Sequence, residues 1–534
     1  MLFHRLKSLI PVAAIAFTCS LGSCVNDLDI SPINPQASAS FSQDEVYAKV
    51  YATLSLTGQQ GAAGNGDVAG VDEGSASPFY RMILTAYEYP TDEVICSWSD
   101  SGIPDFYQMN WGSSNLPLTG FYSRLMFDVT LCNHFLEQTD DLTDEKTIRQ
   151  RAEVRFIRAL NYYYLMDAYG NPPFTEIVSL TEDPKQIQRA DLFAYLETEL
   201  KNIENDLVAP RNGEFGQVDQ VCVWMLLSRM YLNAEVYTGT AKWGEAITYA
   251  NKVIGSGYEL ADNYADLFMA DNDENADAMK EIILPLRLDG ANARSYGGAQ
   301  FAIAATHTAG MTSWGTSEGW GGVRARKELV NKFFPNDDAP LLVNEIQMVA
   351  AAGDDRALFF SGTEDNTRTL EINDPYTFKQ GFSIAKWTNV RSDGQPSHDA
   401  TWVDTDVPFF RTAEAYLTLA EATLRNGGSQ KDALNAINVL RRRAHAKELS
   451  SITLDEILDE KAREFYFEGQ RRTDLIRYGY FTGGDYLWDW KGGVKNGTSV
   501  NSQYDVYPIP SSDINVGTVV KRIKLYNELI ANAI

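Results

Sequence analysis

The sequence predicts a mainly α-helical fold with long loops and minor β hairpins. Three observations lead to this prediction. Apolar residues recur at spacings of three and four along most periodic segments, which indicates amphipathic helices. Two pairs of helical segments share the same spacing of small residues, and the stretches between helices are long and rich in Gly, Ser and Asn. A scaffold of packed helices suits a chain of 534 residues with 44% apolar content.

The N-terminus begins with a secretory signal, which we assign to residues 1–23. A positively charged start precedes an apolar run too short to span a bilayer. The sequence Leu-Gly-Ser before Cys24 resembles the bacterial lipobox, whose cysteine becomes the lipidated N-terminus of the mature protein. We therefore predict a lipid on Cys24, a polar tether over residues 24–40 and a single domain over residues 41–534. An ordinary signal peptide with an incidental cysteine is the alternative.

The formal net charge of −26 would repel the phosphates of nucleic acids and anionic lipid head groups. We expect no nucleic-acid partner, and contact with a membrane only through the lipid. The five cysteines show no Cys-x-x-Cys pattern, and the five histidines show no His-Glu-x-x-His arrangement. The composition therefore gives no sign of a zinc site.

The helices are the most clearly predicted elements. One is expected between Thr143, which can cap its start, and Gly170, which stops it ahead of Asn-Pro-Pro. Two helix pairs, over residues 223–257 and 411–446, resemble degenerate tetratricopeptide repeats and should stack. Residues 340–407 mix short apolar runs with Gly and Asp, as small strands do.

Two short motifs suggest chemistry. The Gly-x-Ser-x-Gly pattern at residues 315–319 lacks the preceding apolar strand that a nucleophile elbow needs, which argues against a serine hydrolase. The acidic stretch at residues 271–281 begins like a calcium loop, with Asp271 and Asp273 two positions apart. It lacks the glycine and the glutamate of an EF-hand. A solvated acidic turn is the alternative reading of this stretch.

Long loops over residues 58–120 and 289–322 carry aromatic side chains flanked by small residues. Five stand out: Trp98, Trp111, Tyr296, Trp314 and Trp320. Each ring is either packed back onto the core or displayed to solvent, and a displayed ring suits the apolar face of a sugar. The same loops carry polar side chains that could bind sugar hydroxyls: Asp67, Glu73, Arg81 and Asp100.

Several long stretches resemble the SusD/RagB family of lipoproteins. They are "REFYFEGQRRTDLIRYGYF" at residues 463–481, "AEVRFIRALNYYYLMDAYGNPPF" at 152–174, "RTAEAYLTLAEATLR" at 411–425 and "YPIPSSDIN" at 507–515. The likeness covers nearly the whole mature chain and is greatest to the starch-binding member of the family. Several independent long matches make it more specific than any short motif.

The resemblance implies a fold, a location and a function. The fold is a helical scaffold with four tetratricopeptide-like helix pairs that carries binding loops. The location is the outer membrane, facing the cell exterior, as a lid on a SusC-like TonB-dependent porin. Family members bind glycans and do not cut them, so the resemblance implies no enzyme activity. The glycan-binding residues it implies are Trp98, Tyr296, Trp320 and Arg81, with Glu73 and Asp67 as weaker assignments.

Two further expectations come from the starch-binding member. An asparagine follows its first tryptophan, whereas here Trp98 precedes a shorter "SDSGIP". Either Asp100 or Ser101 supplies the polar contact of that asparagine, or the contact is lost. Its calcium site falls on the acidic stretch, with Asp273 as the first ligand and Asp271 as the second. The resemblance implies no other cofactor.

The sequence therefore predicts a surface lipoprotein that captures starch or malto-oligosaccharides by aromatic stacking and passes them to a porin. Three alternatives stay open at this point. The chain binds a different glycan, it is a porin adaptor that binds no glycan, or it is an enzyme that cleaves one.

Overall fold

The computed structural model describes residues 41–64, 66–68, 78–179 and 183–514, which lie in one compact unit that begins at Phe41. The predicted signal peptide, Cys24 and the tether lie outside the described residues, as does Glu73. The mainly α-helical prediction is confirmed, because helices carry the architecture and the strands are short. Among the described helices, none combines the length and the apolar content that crossing a membrane requires.

Eighteen α-helices occur in the described part of the chain. They are α1 (Gln43–Ala52), α2 (Phe79–Tyr87), α3 (Pro104–Gln108), α4 (Leu116–Gln138), α5 (Glu145–Tyr169), α6 (Arg189–Ile203), α7 (Gln220–Leu232), α8 (Ala234–Thr238), α9 (Trp243–Ile254), α10 (Ala278–Glu281), α11 (Gly298–Thr306), α12 (Lys327–Val330), α13 (Glu345–Ala352), α14 (Ala413–Arg425), α15 (Gln430–Arg443), α16 (Leu454–Phe465), α17 (Arg471–Arg477) and α18 (Ser511–Ile514).

Strands of two to five residues form four two-stranded antiparallel sheets within the described ranges. The pairs are β1 (Val94–Cys96) with β5 (Val323–Ala325), β2 (Pro173–Phe174) with β3 (Lys185–Gln186), β4 (Ile282–Leu286) with β8 (Val407–Arg411), and β6 (Phe359–Phe360) with β7 (Ser383–Ile384). Only β6 and β7 lie wholly inside residues 340–407, where small strands were predicted. Strand β1 lies in a stretch predicted as loop, because a three-residue strand with a distant partner leaves no local periodicity.

Helix α5 shows how closely local signals set an element. It starts at Glu145, and the Asp144 side chain accepts a hydrogen bond from the Thr147 N–H at 3.0 Å. The cap is therefore Asp144, one residue after the predicted Thr143. The helix ends at Tyr169, directly before Gly170 as predicted, and Gly170 has a φ of 71° that favours glycine.

The main helices pack in a row. Each of α4, α5 and α6 contacts the next, α6 contacts α7, and α9 packs between α7 and α14, which in turn contacts α15. The small residues Ala246, Ala250 and Ala433 are fully buried in these contacts. Small side chains let neighbouring helices approach closely, so the two predicted helix pairs are joined into one stack.

Residues 463–481, one of the stretches that resemble the SusD/RagB family, belong to the helical scaffold. Glu464 and Glu468 are buried and form ion pairs with Arg411 at 2.6 and 2.7 Å. Arg471 pairs with Asp92 at 2.7 Å, far away in sequence. These charges join the end of the chain to β8 and to the segment before β1.

Candidate functional site

Pairing of β1 with β5 brings two distant tryptophans together. Cys96 lies opposite Val323, and the Ser97 N–H donates to the Gly322 carbonyl oxygen at 2.7 Å. Trp98 and Trp320 therefore lie side by side at the ends of the two strands. Their ring centroids are 6.3 Å apart and the rings are inclined by 60°.

Two more rings continue the series. Tyr296, just before α11, has its ring centroid 6.3 Å from that of Trp320, at an inclination of 41°. Trp402 follows at 5.0 Å from Tyr296 and 59°. We call Trp98, Trp320, Tyr296 and Trp402 the ring row. All four side chains are half-buried, and each ring is tilted against its neighbour.

The ring row rests on Phe301 of α11, which is fully buried. The Phe301 ring centroid is 6.2 Å from that of Trp98 and 6.4 Å from that of Trp320. The guanidinium carbon of Arg81, on α2, lies 4.4 Å from the Phe301 centroid. Arg81 is thus beside the ring row, where the family likeness led us to expect it.

Trp320 is held in its orientation by its own loop. Its Nε1–H donates to Oε2 of Glu318 at 2.8 Å, and Nε1–H of Trp314 donates to the Glu318 carbonyl oxygen at 2.8 Å. Trp314 lies over His307, with 5.2 Å between ring centroids. Burial lowers the pKa of His307 to about 4, so this imidazole is neutral and supports the loop from below.

The five loop aromatics singled out from the sequence lie in different structural settings. Trp98, Tyr296 and Trp320 converge in the ring row. Trp111 is buried and packs against Phe106 and Tyr507, with centroids 6.1 and 4.9 Å away. Trp111 is therefore a core residue, and Trp314 supports the loop that carries Trp320.

The predicted polar partners also separate. Asp100 and Ser101 are exposed in the turn that follows Trp98, where they can meet a ligand. Asp67 is buried and forms ion pairs with Lys49 at 2.7 Å and Arg124 at 3.5 Å. The assignment of Asp67 to glycan binding is corrected, because its carboxylate is withdrawn from solvent and neutralised inside the protein. Glu73 lies outside the described residues.

The two predicted calcium ligands are engaged elsewhere. Asp271 accepts hydrogen bonds from the N–H and Oγ–H of Ser392 at 2.8 and 2.6 Å. Asp273 pairs with Arg287 at 2.7 Å. Within the described ranges, no three Asp, Glu, His or Cys side chains form a group that could hold a metal ion. The calcium site on Asp271 and Asp273 stays a prediction.

Three contributors to the site were missed from the sequence: Phe301, Gly322 and Trp402. Trp402 lies in "DATWVDTD", between small and acidic residues, which is the same local signal that identified the other loop aromatics. Its stretch was predicted to hold strands, so the signal was not applied there. Phe301 and Gly322 carry no local signal, because their roles depend on packing against Trp98.

A family model described as the SusD family matches residues 361–526. The starch-binding protein SusD of Bacteroides thetaiotaomicron is 47% identical and covers 96% of this chain and 97% of its own length. The SusD-like protein P25 of Formosa agariphila is 24% identical, covering 74% of this chain and 76% of its own length.

Solved structures share the fold at lower identity. A SusD-like carbohydrate-binding protein from Bacteroides fragilis has a TM-score of 0.68 and 19% identity, covering 89% of this chain and 97% of its own. Surface glycan-binding protein A from Bacteroides thetaiotaomicron, solved in complex with laminarihexaose, has a TM-score of 0.63, 20% identity and coverage of 89% and 97%. These two likenesses show that the fold is shared.

Proposed function

The chain belongs to the SusD family, and from this premise we propose that it captures starch-like α-glucans at the cell surface without cleaving them. The relative at 47% identity is named a starch-binding protein, and its likeness covers the ring row as well as the scaffold. Aromatic rings stack on the apolar C–H faces of pyranoses, while polar groups bind the hydroxyls.

The single observation that carries the proposal is the inclination of the rings. Successive rings from Trp98 through Trp320 to Tyr296 are tilted by 60° and 41°. A flat, extended glycan would present its faces in one plane and could stack on only one of them. A chain that turns from sugar to sugar, as α-linked glucose polymers do, can meet each ring in succession.

Polar groups at the edge of the row complete this picture. Arg81 lies beside Phe301, and Asp100 and Ser101 are exposed next to Trp98. These side chains can donate to or accept from sugar hydroxyls. Because the rings are only half-buried and lie on an open surface, we expect modest affinity, with no deep enclosure of the ligand.

Replacing Trp98, Tyr296 and Trp320 together with Ala should weaken binding to amylopectin by about tenfold or more, since each ring stack contributes about 0.5–1.5 kcal/mol. Retardation in an affinity gel containing amylopectin measures this. Trp224→Ala is a matched control, because Trp224 is a half-buried tryptophan on α7 that binds Glu204. Equal retardation of the triple variant and the wild type would contradict the proposal.

The alternatives give different results in two assays. A glycan array identifies a member of the family that prefers another glycan. A porin adaptor that binds no glycan gives no signal on the array. An enzyme would release reducing sugar from starch, and we expect the purified protein to release none.

We also propose that lipid on Cys24 anchors the protein in the outer membrane, facing outward, where it delivers glycan to a SusC-like TonB-dependent porin. The lipobox-like Leu-Gly-Ser before Cys24 supports this. Cys24→Ser should move the protein from the membrane pellet to the soluble fraction of the cells. Cys19→Ser is the matched control, since that residue is predicted to leave with the signal. A Cys24 variant that stays in the salt-washed pellet would refute the anchor.

A further inference from the structure

Trp402 extends the ring row beyond the three aromatics that the family likeness indicated. Its ring centroid is 5.0 Å from that of Tyr296, the shortest spacing in the row, and its plane is tilted by 59°. Trp402 is thus inclined to its neighbour by about as much as Trp98 is to Trp320. Its side chain is half-buried, so part of the ring remains open to solvent.

A buried side chain of α11 fixes the backbone on both sides of Trp402. Gln300 of α11 is buried, and its side-chain amide donates to the Thr401 carbonyl oxygen at 3.1 Å and accepts from the Val403 N–H at 3.0 Å. This amide therefore bonds both neighbours of Trp402. Gln300 directly precedes Phe301, so one helix supports the floor of the ring row and its last member.

Further hydrogen bonds fix the same stretch of backbone. The Asp399 carboxylate accepts from the N–H of Thr401 at 2.7 Å and from that of Trp402 at 3.0 Å. The Ser317 N–H donates to the Ala400 carbonyl oxygen at 2.6 Å, which ties this loop to the one that carries Trp320. The backbone that carries the Trp402 side chain is thus held in a preorganised position. Preorganisation reduces the entropy lost when a ligand binds.

We propose that Trp402 is a fourth stacking ring, which adds a sugar subsite at the Tyr296 end and makes the protein selective for longer α-glucans. This inference rests on the proposed function and names the length class of its ligand. A short oligosaccharide is held by the other rings and gains little from Trp402. A longer chain reaches all four rings.

The competing role for Trp402 is that of a support which only keeps Tyr296 in place. The two roles differ in their dependence on ligand length. Loss of a support weakens binding of every oligosaccharide, because Tyr296 shifts for all of them. Loss of a terminal subsite weakens binding only of chains long enough to reach it.

Calorimetric titration of the purified protein with maltotriose and maltoheptaose separates these roles. Trp402→Ala should weaken maltoheptaose binding about five- to tenfold and change maltotriose binding less than twofold. Trp402→Phe keeps a ring and should lose less than Trp402→Ala. Equal losses for both ligands, or no loss for either, would overturn the inference while leaving the proposed function intact. If the wild type binds neither ligand, both proposals fail.

A measurement on folded wild-type protein guards against instability of the alanine variant. With 5-fluorotryptophan incorporated, the ¹⁹F resonance of Trp402 is identified by its absence in Trp402→Phe. Saturating maltoheptaose should shift this resonance, and the resonance of Trp224 on α7 should stay unchanged. A Trp402 resonance that does not respond to maltoheptaose would refute the subsite.

Discussion

Gly322 determines where Trp98 can lie. A Cβ atom built on Gly322 would be 2.2 Å from both Cε2 and Nε1 of the Trp98 indole, which no real contact allows. The indole therefore packs against the bare backbone of Gly322, just before β5. The position of Trp98 in the ring row therefore depends on the absence of a side chain at Gly322.

Gly322→Ala should displace Trp98 and weaken amylopectin binding about three- to tenfold, similar to Trp98→Ala. The fold should survive, because the half-buried indole can move toward solvent. Gly112→Ala is the matched control, since no atom lies within 4 Å of a Cβ there. Binding by affinity gel and the melting temperature are measured together. Wild-type binding by Gly322→Ala would show that Trp98 can adjust without cost.

Single residues also show what sequence reasoning can reach. Trp98, Tyr296 and Trp320 were found because a large ring among small loop residues is a local signal. Asp67 was misassigned, because its burial depends on Lys49 and Arg124, which no local pattern reveals. A charged side chain in a loop looks the same in sequence whether it faces a ligand or an internal ion pair.

At the level of helices and strands, the long elements were predictable and the short ones were not. Helix α5 was found from its cap, its periodicity and Gly170 because 25 residues carry many signals. Strand β1 has three residues, and its partner lies more than 200 residues later. Yet the pairing of β1 with β5 is what brings Trp98 and Trp320 together. The scaffold was therefore easier to predict than the geometry of the site.

The link between β8 and α16 depends on buried charge. Arg411, at the end of β8, bonds Glu281 at 2.9 Å as well as Glu464 and Glu468, and none of these side chains has solvent to replace the lost partner. Removing one member of such a cluster leaves buried carboxylates uncompensated, which costs about 3–5 kcal/mol.

Arg411→Met should therefore destabilise the protein by about 3–5 kcal/mol, visible as a lower urea midpoint. Lys146→Met is the matched control, since Lys146 pairs with Asp44 at 2.6 Å on the exposed surface. Solvent and salt screen exposed ion pairs, so the control should shift the midpoint little. Similar midpoints for Arg411→Met and the wild type would show that the cluster relaxes around the lost charge.

For the molecule as a whole, buried carboxyl groups of two kinds set the response to pH. In the first kind, burial opposes ionisation but nearby cations outweigh it. Arg477 and Lys461 lower the pKa of Glu421 to about 2, and Arg443, Arg411 and Arg356 hold the pKa of Glu464 well below its usual range. These groups stabilise the fold above the unfolded pKa of about 4.5, and the contribution is lost as pH falls toward 2.

In the second kind, burial prevails. It raises the pKa of Asp128 to about 7 despite Arg124, and it raises the pKa values of Glu88 and Glu93, which lie close together. The folded state holds protons that the unfolded chain has already released. The stability from these groups is complete below an unfolded pKa of about 4 and is lost as pH rises through about 7.

The two kinds together predict a stability maximum near pH 4.5–5 in this strongly acidic protein, with losses on both sides. Urea unfolding between pH 3 and pH 8 should show the midpoint rising to about pH 5 and then declining toward pH 8. Asp128→Asn removes one titrating group while keeping a neutral side chain of the same shape, so its decline between pH 5 and pH 8 should be shallower than that of the wild type. A urea midpoint that rises steadily to pH 8 would contradict the prediction. It would mean that burial does not raise the pKa values of the second kind of carboxyl. An Asp128→Asn profile parallel to the wild type would assign the decline to other buried carboxyls whose pKa burial raises, among them Glu88, Glu93 and Asp406.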